Sequence, residues 1–478
     1  MVSEPNRMGV MDLAAHKTPI PGLFVVDLPV HGDNRGWFKE NWQRQKMTAL
    51  GIPDFGPVQN NISFNNEIGT TRGIHAEPWD KWVSVATGRI FGAWVDLREG
   101  PTFGTLFTAE VGVGTAVFVP RGVGNSYQTL EPSTAYTYLV NRHWSQSARY
   151  SYVNLADESL NIEWPIPLSS SEISVKDRDH PGINDVPPIQ PMKTLVVGAN
   201  GQLGRALREV FGNAPHIEYT TREQLDLTDR DLATARPWDE YDTIINAAAF
   251  TAVDRAETVT GRREAWAANV AGVAELTRIA TLHSIALVHV SSDYVFDGDL
   301  GRAYREDDPF SPLSVYGQTK AAGDAIVAST QRHYIIRTSW VIGEGANFVR
   351  TMTRLAETGA HPRVVDDQLG RLTFAIDIAA AIHHLLSSGS PSGTYNVSCD
   401  GPATTWAELA ATVFRLNGSD PADVTGVSTQ TYFAAAQGPV ASRPRNSMLD
   451  LEKIRSTGFK PRQMDQALEQ YVLVLRGD

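Results

Sequence analysis

Between residues 19 and 165 the apolar positions fall in short alternating runs. Examples are Trp82-Val83-Ser84-Val85, Phe91-Gly92-Ala93-Trp94-Val95 and Ala116-Val117-Phe118-Val119-Pro120. Turn residues such as Glu99-Gly100-Pro101 separate them. Short strands with regular turn signals predict an all-β sandwich or barrel. Only Gln43 to Leu50 reads as helical, and residues 1–18 form an N-terminal tail outside this pattern.

The pattern stops at residues 166–191, which hold a serine run (Ser169 to Ser171) and Pro181, Pro187, Pro188 and Pro191. Such composition predicts a semi-extended linker. From Met192 the pattern changes again. Buried strands Thr194–Val197, Thr243–Asn246, Ala286–Val290 and Tyr334–Arg337 are separated by helical stretches, the first running to about Val210. That alternation predicts a parallel, doubly wound sheet across residues 192–478.

The chain has 478 residues, a net charge of −12 and one cysteine, Cys399. Roughly 150 residues per domain allows two to four domains. The acidic balance argues against a nucleic-acid partner, which calls for a basic stripe. A lone cysteine excludes an internal disulfide and fits a cytoplasmic location. Met1 to Lys17 lacks the apolar core of a secretory signal. No apolar run approaches the ~18 residues of a membrane helix.

The first α/β strand is followed by Gly198-Ala199-Asn200-Gly201-Gln202-Leu203-Gly204. In that context Gly198 allows a tight turn, Gly201 lets the backbone approach a pyrophosphate and Gly204 permits close helix packing. Tyr316 and Lys320 are four apart and share a helix face. A neighbouring ammonium lowers a phenol pKa, and the tyrosine can protonate a carbonyl oxygen as hydride arrives. Ser292, at a strand end, offers a hydroxyl to the same oxygen. Arg222 follows the second strand, where no carboxylate stands for a ribose hydroxyl, which favours NADPH and leaves NADH open.

These stretches, with Asp226-Leu227-Thr228, Asn246 through Asp254, Arg337-Thr338-Ser339-Trp340 and Arg443 through Ser447, resemble the dTDP-4-dehydrorhamnose reductase family of extended short-chain dehydrogenases. The resemblance implies a Rossmann-type sheet with a small substrate-binding subdomain, and a catalytic triad of Ser292, Tyr316 and Lys320. It implies cofactor contacts at Gly198, Gly201, Gln202, Leu203, Gly204, Asp226, Leu227, Ala247, Ala248, Ala249, Tyr316 and Lys320, and substrate contacts at Thr251, Val253 and Trp340. The family usually has Thr where Ser292 stands and Pro where Leu372 stands. Mg2+ at a dimer contact is left open.

In the β region, Asp33-Asn34-Arg35-Gly36-Trp37-Phe38, Gln59 through Ser63, Arg72-Gly73-Ile74-His75, Val119-Pro120-Arg121-Gly122 and Asp157 through Pro165 resemble the dTDP-4-dehydrorhamnose 3,5-epimerase family, a cupin-like jelly roll. The chemistry this implies is removal of a proton beside a ketone and reprotonation from the other face. His75 is the implied base, Asp157 the carboxylate that orients it, and Tyr138 the acid opposite. Arg35, Gln59, Asn61, Arg72, Lys81 and Asn125 are implied substrate contacts. No histidine lies at metal-ligand spacing from His75, so no metal is assigned. The family's His-Gly-Phe is replaced by Asn125-Ser126-Tyr127, and Ala76-Glu77 follow His75 where an aromatic residue and Gln are usual.

The two resemblances together imply a bifunctional route to dTDP-L-rhamnose from dTDP-4-dehydro-6-deoxy-D-glucose, in a homodimer. Epimerisation at C3 only, another nucleotide deoxysugar, and a non-enzymatic subunit on the reductase fold stay open.

Overall fold

The computed structural model describes residues 12–144 and 149–477. It divides into two compact units, Met1–Pro191 and Met192–Asp478.

The first unit packs two antiparallel sheets face to face. One contains β1 (Ala14–Lys17), β2 (Phe24–Asp27), β5 (Gln59–Asn65), β7 (Lys81–Thr87), β10 (Thr115–Val119) and β12 (Thr134–Val140), in the order β1-β2-β10-β7-β12-β5. A hairpin of β3 (His31–Asp33) and β4 (Gly36–Phe38) precedes β5 in the chain. The second contains β6 (Thr71–Ala76), β8 (Ile90–Asp96), β9 (Leu106–Val111), β11 (Val123–Thr129) and β13 (Ser151–Tyr152), in the order β13-β6-β11-β8-β9. Val83, Val85, Ile90, Trp94, Val117 and Val123 interdigitate between them, each at most 1% exposed. The helix foreseen at 43–50 is present as Arg44–Ala49, capped by Gln43.

Two boundaries differ from expectation. Of the predicted tail, residues 1–11 lie outside the described part, but Ala14–Lys17 is a strand paired with β2. Residues 166–191 are not a linker. Ile183 and Val186 are buried against Ile74, Val95, Leu97 and Val153, and Leu168, Ile173 and Ile189 pack beside them. Single β-bridges pin the segment at Thr70–Glu172 and Arg98–Ile189. The prolines punctuate a covering layer whose isolated apolar side chains each find a place on the barrel wall.

The second unit carries a six-stranded sheet of parallel pairs. Its strands are β14 (Lys193–Val197), β15 (Ile217–Thr220), β16 (Tyr241–Asn246), β17 (Ala286–Ser292), β18 (His333–Thr338) and a sixth, Gly393–Asn396, in the order β15-β14-β16-β17-β18-sixth. Both faces are covered, so side chains alternate between two cores. Val196, Ile245 and Val288 meet Leu203 and Leu207 of helix Gln202–Phe211, while Leu195, Ile244 and Leu287 meet Leu276 and Ile279 of helix Gly272–Leu282. A separate cluster including Ile342, Val349, Leu409, Phe414 and Leu468 is the core of the expected subdomain. Chain order reverses between β14 and β16, and ligands of such sheets bind beyond the strand ends at that point.

Candidate active sites

Beyond the ends of β14, β16 and β17 lies a cavity of about 1110 Å³. That exceeds the ~300–1,000 Å³ of ordinary ligand pockets. Gly198, Gly201, Gln202, Leu203, Asp226, Leu227, Ala247, Ala248 and Ala249 line it, as do Thr251, Val253, Ser292, Tyr316, Lys320 and Trp340. Gly198 has φ +83°, and a Cβ there would lie 2.8 Å from the Ala248 amide nitrogen. Gly204 does not line the cavity; its Cβ would lie 2.3 Å from the Gly198 carbonyl oxygen, so it serves helix packing. The helix starting at Gln202 has no side-chain cap at its N-terminus, and its first amides are suited to a phosphate. Arg222 lines the cavity and is ion-paired with Asp226 at 3.0 Å.

Ser292 closes β17. Its hydroxyl donates to Asp293 Oδ1 (2.9 Å) and accepts from the Tyr294 amide (3.2 Å). Tyr316 and Lys320 lie one turn apart on helix Val315–Val327, 8% and 2% exposed. Lys320 Nζ donates to the Val290 carbonyl (2.7 Å) and lies 3.3 Å from His289 Nε2. His289 is fully buried, and its Nδ1 lies 3.2 Å from Asn246 Nδ2. Burial brings the Lys320 ammonium down to about 8, with Asp324 opposing. Burial, then Asp293 and Tyr294, pushes the Tyr316 phenol up, with the Ser292 hydroxyl opposing. Burial therefore outweighs the expected lowering of that phenol by Lys320. The outcome suits a proton donor, which must carry its proton when the carbonyl arrives.

In the barrel, His75 on β6 stands opposite Asn125 on β11 and Tyr152 on β13. Its Nε2 is 2.9 Å from Oδ1 of Asp177, not of Asp157. Asp157 instead accepts from the amides of Ser159 (2.8 Å) and Ile183 (2.5 Å), fastening the covering segment. Its expected part in orienting His75 is thus taken by Asp177, 102 residues along the chain from the histidine. Burial alone would raise the Asp177 carboxyl. The hydrogen bond and charge of His75, the Gly73 amide and His180 outweigh it and hold the carboxyl below the usual range. His180 was also outside the sequence reading, and its ring lies 5.5 Å from that of His75. His75 therefore has in space a histidine neighbour that its sequence spacing does not show.

The remaining predicted residues divide. Tyr138 lies on β12; burial, then Glu77 and Tyr127, pushes its phenol up, and Arg72 opposes. Lys81 is ion-paired with Glu77, and its Nζ is 5.9 Å from the Tyr138 ring. Asn125 donates to the Tyr136 hydroxyl (3.0 Å) and accepts from Trp94 Nε1 (2.8 Å), and the Tyr136 ring is 5.7 Å from that of Tyr138. Asn125 thus links the His75 strand to the Tyr138 strand, with its amide engaged inside the barrel. Arg72 Nε donates to Asn65 Oδ1 (3.2 Å), and Gln59 Nε2 to Asn61 Oδ1 (2.8 Å). Arg35 is not gathered with them; its side chain is 84% exposed and paired with Asp33.

Two family matches divide the chain along this structural boundary. Residues 192–476 match the family described as RmlD substrate binding domain, and residues 17–185 match dTDP-4-dehydrorhamnose 3,5-epimerase. The chain belongs to both families. A protein described as an RmlC homolog from Streptococcus pyogenes serotype M6 is 49% identical over 179 residues, covering 36% of this chain and 90% of that protein. The dTDP-4-dehydrorhamnose reductase of Aggregatibacter actinomycetemcomitans is 35% identical over 293 residues, covering 58% and 97%. The crystal structure of dTDP-4-dehydrorhamnose reductase from Bacillus anthracis in complex with NADP is 31% identical, covers 59% and 99%, and has a TM-score of 0.53. The chain is a bifunctional enzyme, an epimerase unit followed by a reductase unit. In the epimerase unit the residues missed from sequence are Asp177 and His180; in the reductase unit they are His289 and Asp293. Only Asp293 had an audible signal, as the neighbour of Ser292.

Proposed function

We propose that the epimerase unit inverts C3 and C5 of dTDP-4-dehydro-6-deoxy-D-glucose and that the reductase unit reduces the C4 ketone of the product, giving dTDP-L-rhamnose. The observation that carries this reading is the pairing, on one chain, of a His75–Asp177 dyad at 2.9 Å with Ser292, Tyr316 and Lys320 on one cavity wall.

In the first reaction His75 gives its Nε2 proton to the hydrogen bond with Asp177. That leaves Nδ1 bare to take the proton beside the ketone. Asp177 stabilises the imidazolium that forms. Lys81 and Arg72 stabilise the enolate oxygen, and Tyr138, kept protonated, returns a proton from the opposite face. In the second, the reduced nicotinamide supplies the hydride when bound. Tyr316 donates its proton to O4, Ser292 donates a hydrogen bond to the same oxygen, and Lys320 offsets charge on the departing phenolate.

NADPH is the preferred hydride donor and NADH a second. Arg222 at the cavity edge supports this, as does the NADP held by the Bacillus anthracis protein. Among the described reductase residues no three His, Cys, Asp or Glu side chains come together as a metal site. A homodimer through the barrel is supported by edge strand β5, which presents Ile62 and Phe64 (69% and 58% exposed), and by Trp37 and Phe38 of the exposed hairpin. The chain's one cysteine, Cys399, which is buried and free, supports a cytoplasmic site of action. Among the described residues no helix is long and apolar enough to cross a membrane.

The test is NADPH oxidation by the whole chain with dTDP-4-dehydro-6-deoxyglucose, beside His75→Ala and Tyr316→Phe. Loss of consumption in both variants, with dTDP-L-rhamnose as the product of the unmodified chain, is expected. Consumption that survives His75→Ala would mean the ketone is reduced without epimerisation.

A further inference from the structure

We infer that His75, Asp177 and His180 form a binding site for a zinc-class divalent cation, and that filling it silences the epimerase unit. The silencing rests on reading His75 as the base; the binding does not.

His180 follows Asp177 by three residues, and its side chain is 6% exposed. Neither ring nitrogen makes a hydrogen bond of ordinary geometry, although the Val153 backbone lies close enough to act on the ring. An unsatisfied buried polar group costs about 1–3 kcal/mol, and the proposed epimerisation has no use for this one. Its Nε2 lies 3.9 Å from Asp177 Oδ1, itself 2.9 Å from His75 Nε2. One ligand atom from each residue falls within 4.8 Å of the others, the one such group among the described residues.

Two imidazoles and a carboxylate are the donor set of zinc sites that keep a fourth position open. Ligation at about 2.0–2.1 Å in a tetrahedron spaces ligand atoms about 3.3 Å apart. The closer pair must open slightly and the farther pair close. The rings are already held for it: His180 stacks on Tyr152 (4.7 Å, 23°) and stands edge-on to His75 (71°). A neutral ring is what a metal requires. Two nitrogen ligands select zinc, cobalt or nickel over magnesium or calcium.

The consequence for catalysis follows from proton counting. A neutral imidazole carries one proton. With a cation on Nε2, in place of the proton shared with Asp177, that proton moves to Nδ1. Nδ1 is the nitrogen that takes the substrate proton, so the base is lost while the fold stays intact.

The experiment uses the full chain, stripped with a chelator, and Co2+ or Zn2+ alone as the probe. One Co2+ per chain with tetrahedral visible absorption is expected, Zn2+ should displace it and Mg2+ should not. His180→Gln, and His180→Phe, which keeps the stack on Tyr152, should weaken binding at least about 100-fold, the upper end for losing a mere outer-sphere partner. Both are checked for folding by circular dichroism. Zn2+ should stop deuterium exchange at C3 and C5 in the unmodified chain but not in these variants, and should leave reduction of pre-epimerised ketone unchanged. No tetrahedral binding, or binding indifferent to both His180 variants, would overturn the site. Binding with exchange undiminished would overturn the silencing alone. Exchange that survives His75→Gln would locate the failure in the base assignment instead.

Discussion

Asp177→Asn separates the two carboxylates that compete for the role of orienting His75. The substitution keeps shape and removes charge. At 2.9 Å the attraction between Asp177 and a protonated His75 is about 6 kcal/mol at an effective dielectric near 20, and about 1.4 kcal/mol in water. The His75 side chain is 35% exposed and Asp177 8%, so the pair lies between these limits. A loss of about 2–4 kcal/mol in transition-state stabilisation corresponds to about 30- to 1,000-fold in the epimerisation rate. The assay is proton exchange at C3 and C5 in D2O followed by NMR without reduced cofactor, so the reductase unit contributes nothing. Reduction of pre-epimerised ketone serves as the internal control and should be unchanged. Asp157→Asn should alter exchange by no more than a few-fold while lowering stability, because its carboxylate holds two backbone amides. Exchange that is lost in Asp157→Asn and intact in Asp177→Asn would refute the assignment.

Three further outcomes follow from the same geometry. Lys320 carries its charge below about 8, so the reduction step should decline above that pH while epimerisation does not. The same depressed pKa means the unfolded chain binds the extra proton between about 8 and 10.5, so this group's contribution to stability rises with pH across that window. Lys320→Met should therefore abolish reduction without lowering the thermal midpoint at pH 7. His289→Phe should cut kcat for reduction about tenfold with KM nearly unchanged and displace the alkaline limb, since His289 acts through Lys320; a change in KM alone would contradict that positioning role.

Much of this enzyme was legible because its signals are local. The glycines after β14 fix a turn whose neighbours could be named, and Tyr316 and Lys320 share a helix face by spacing alone. Alternation in β7, β8 and β10 declared the barrel. Most of the failures share one cause: they depend on residues distant in sequence. His75 and Asp177 are separated by 102 residues, and His289 meets Asn246 across adjacent parallel strands. Tyr316 misled for another reason. Spacing placed an ammonium beside it, but the dryness of the site, which spacing does not encode, decides the direction of its pKa.

The covering segment gives the last prediction. A boundary drawn at residue 165 from composition would remove Asp177 and His180 together with Ile183 and Val186, 6% and 7% exposed. Each such aliphatic side chain contributes about 1.5–3 kcal/mol by burial, so losing these two and their part-buried neighbours removes a large share of the ~5–15 kcal/mol that holds a domain folded. A chain of residues 1–165 should therefore show no cooperative melt and no exchange at C3. Residues 1–191 form a unit with its own core and should do both. Restoring the fold without the carboxylate, by placing Asp177→Asn in the 1–191 chain, then isolates chemistry from stability: a cooperative melt with exchange reduced to the level of the full-length variant. If the 1–165 chain epimerises, the dyad is dispensable and Asp177 is a structural carboxylate.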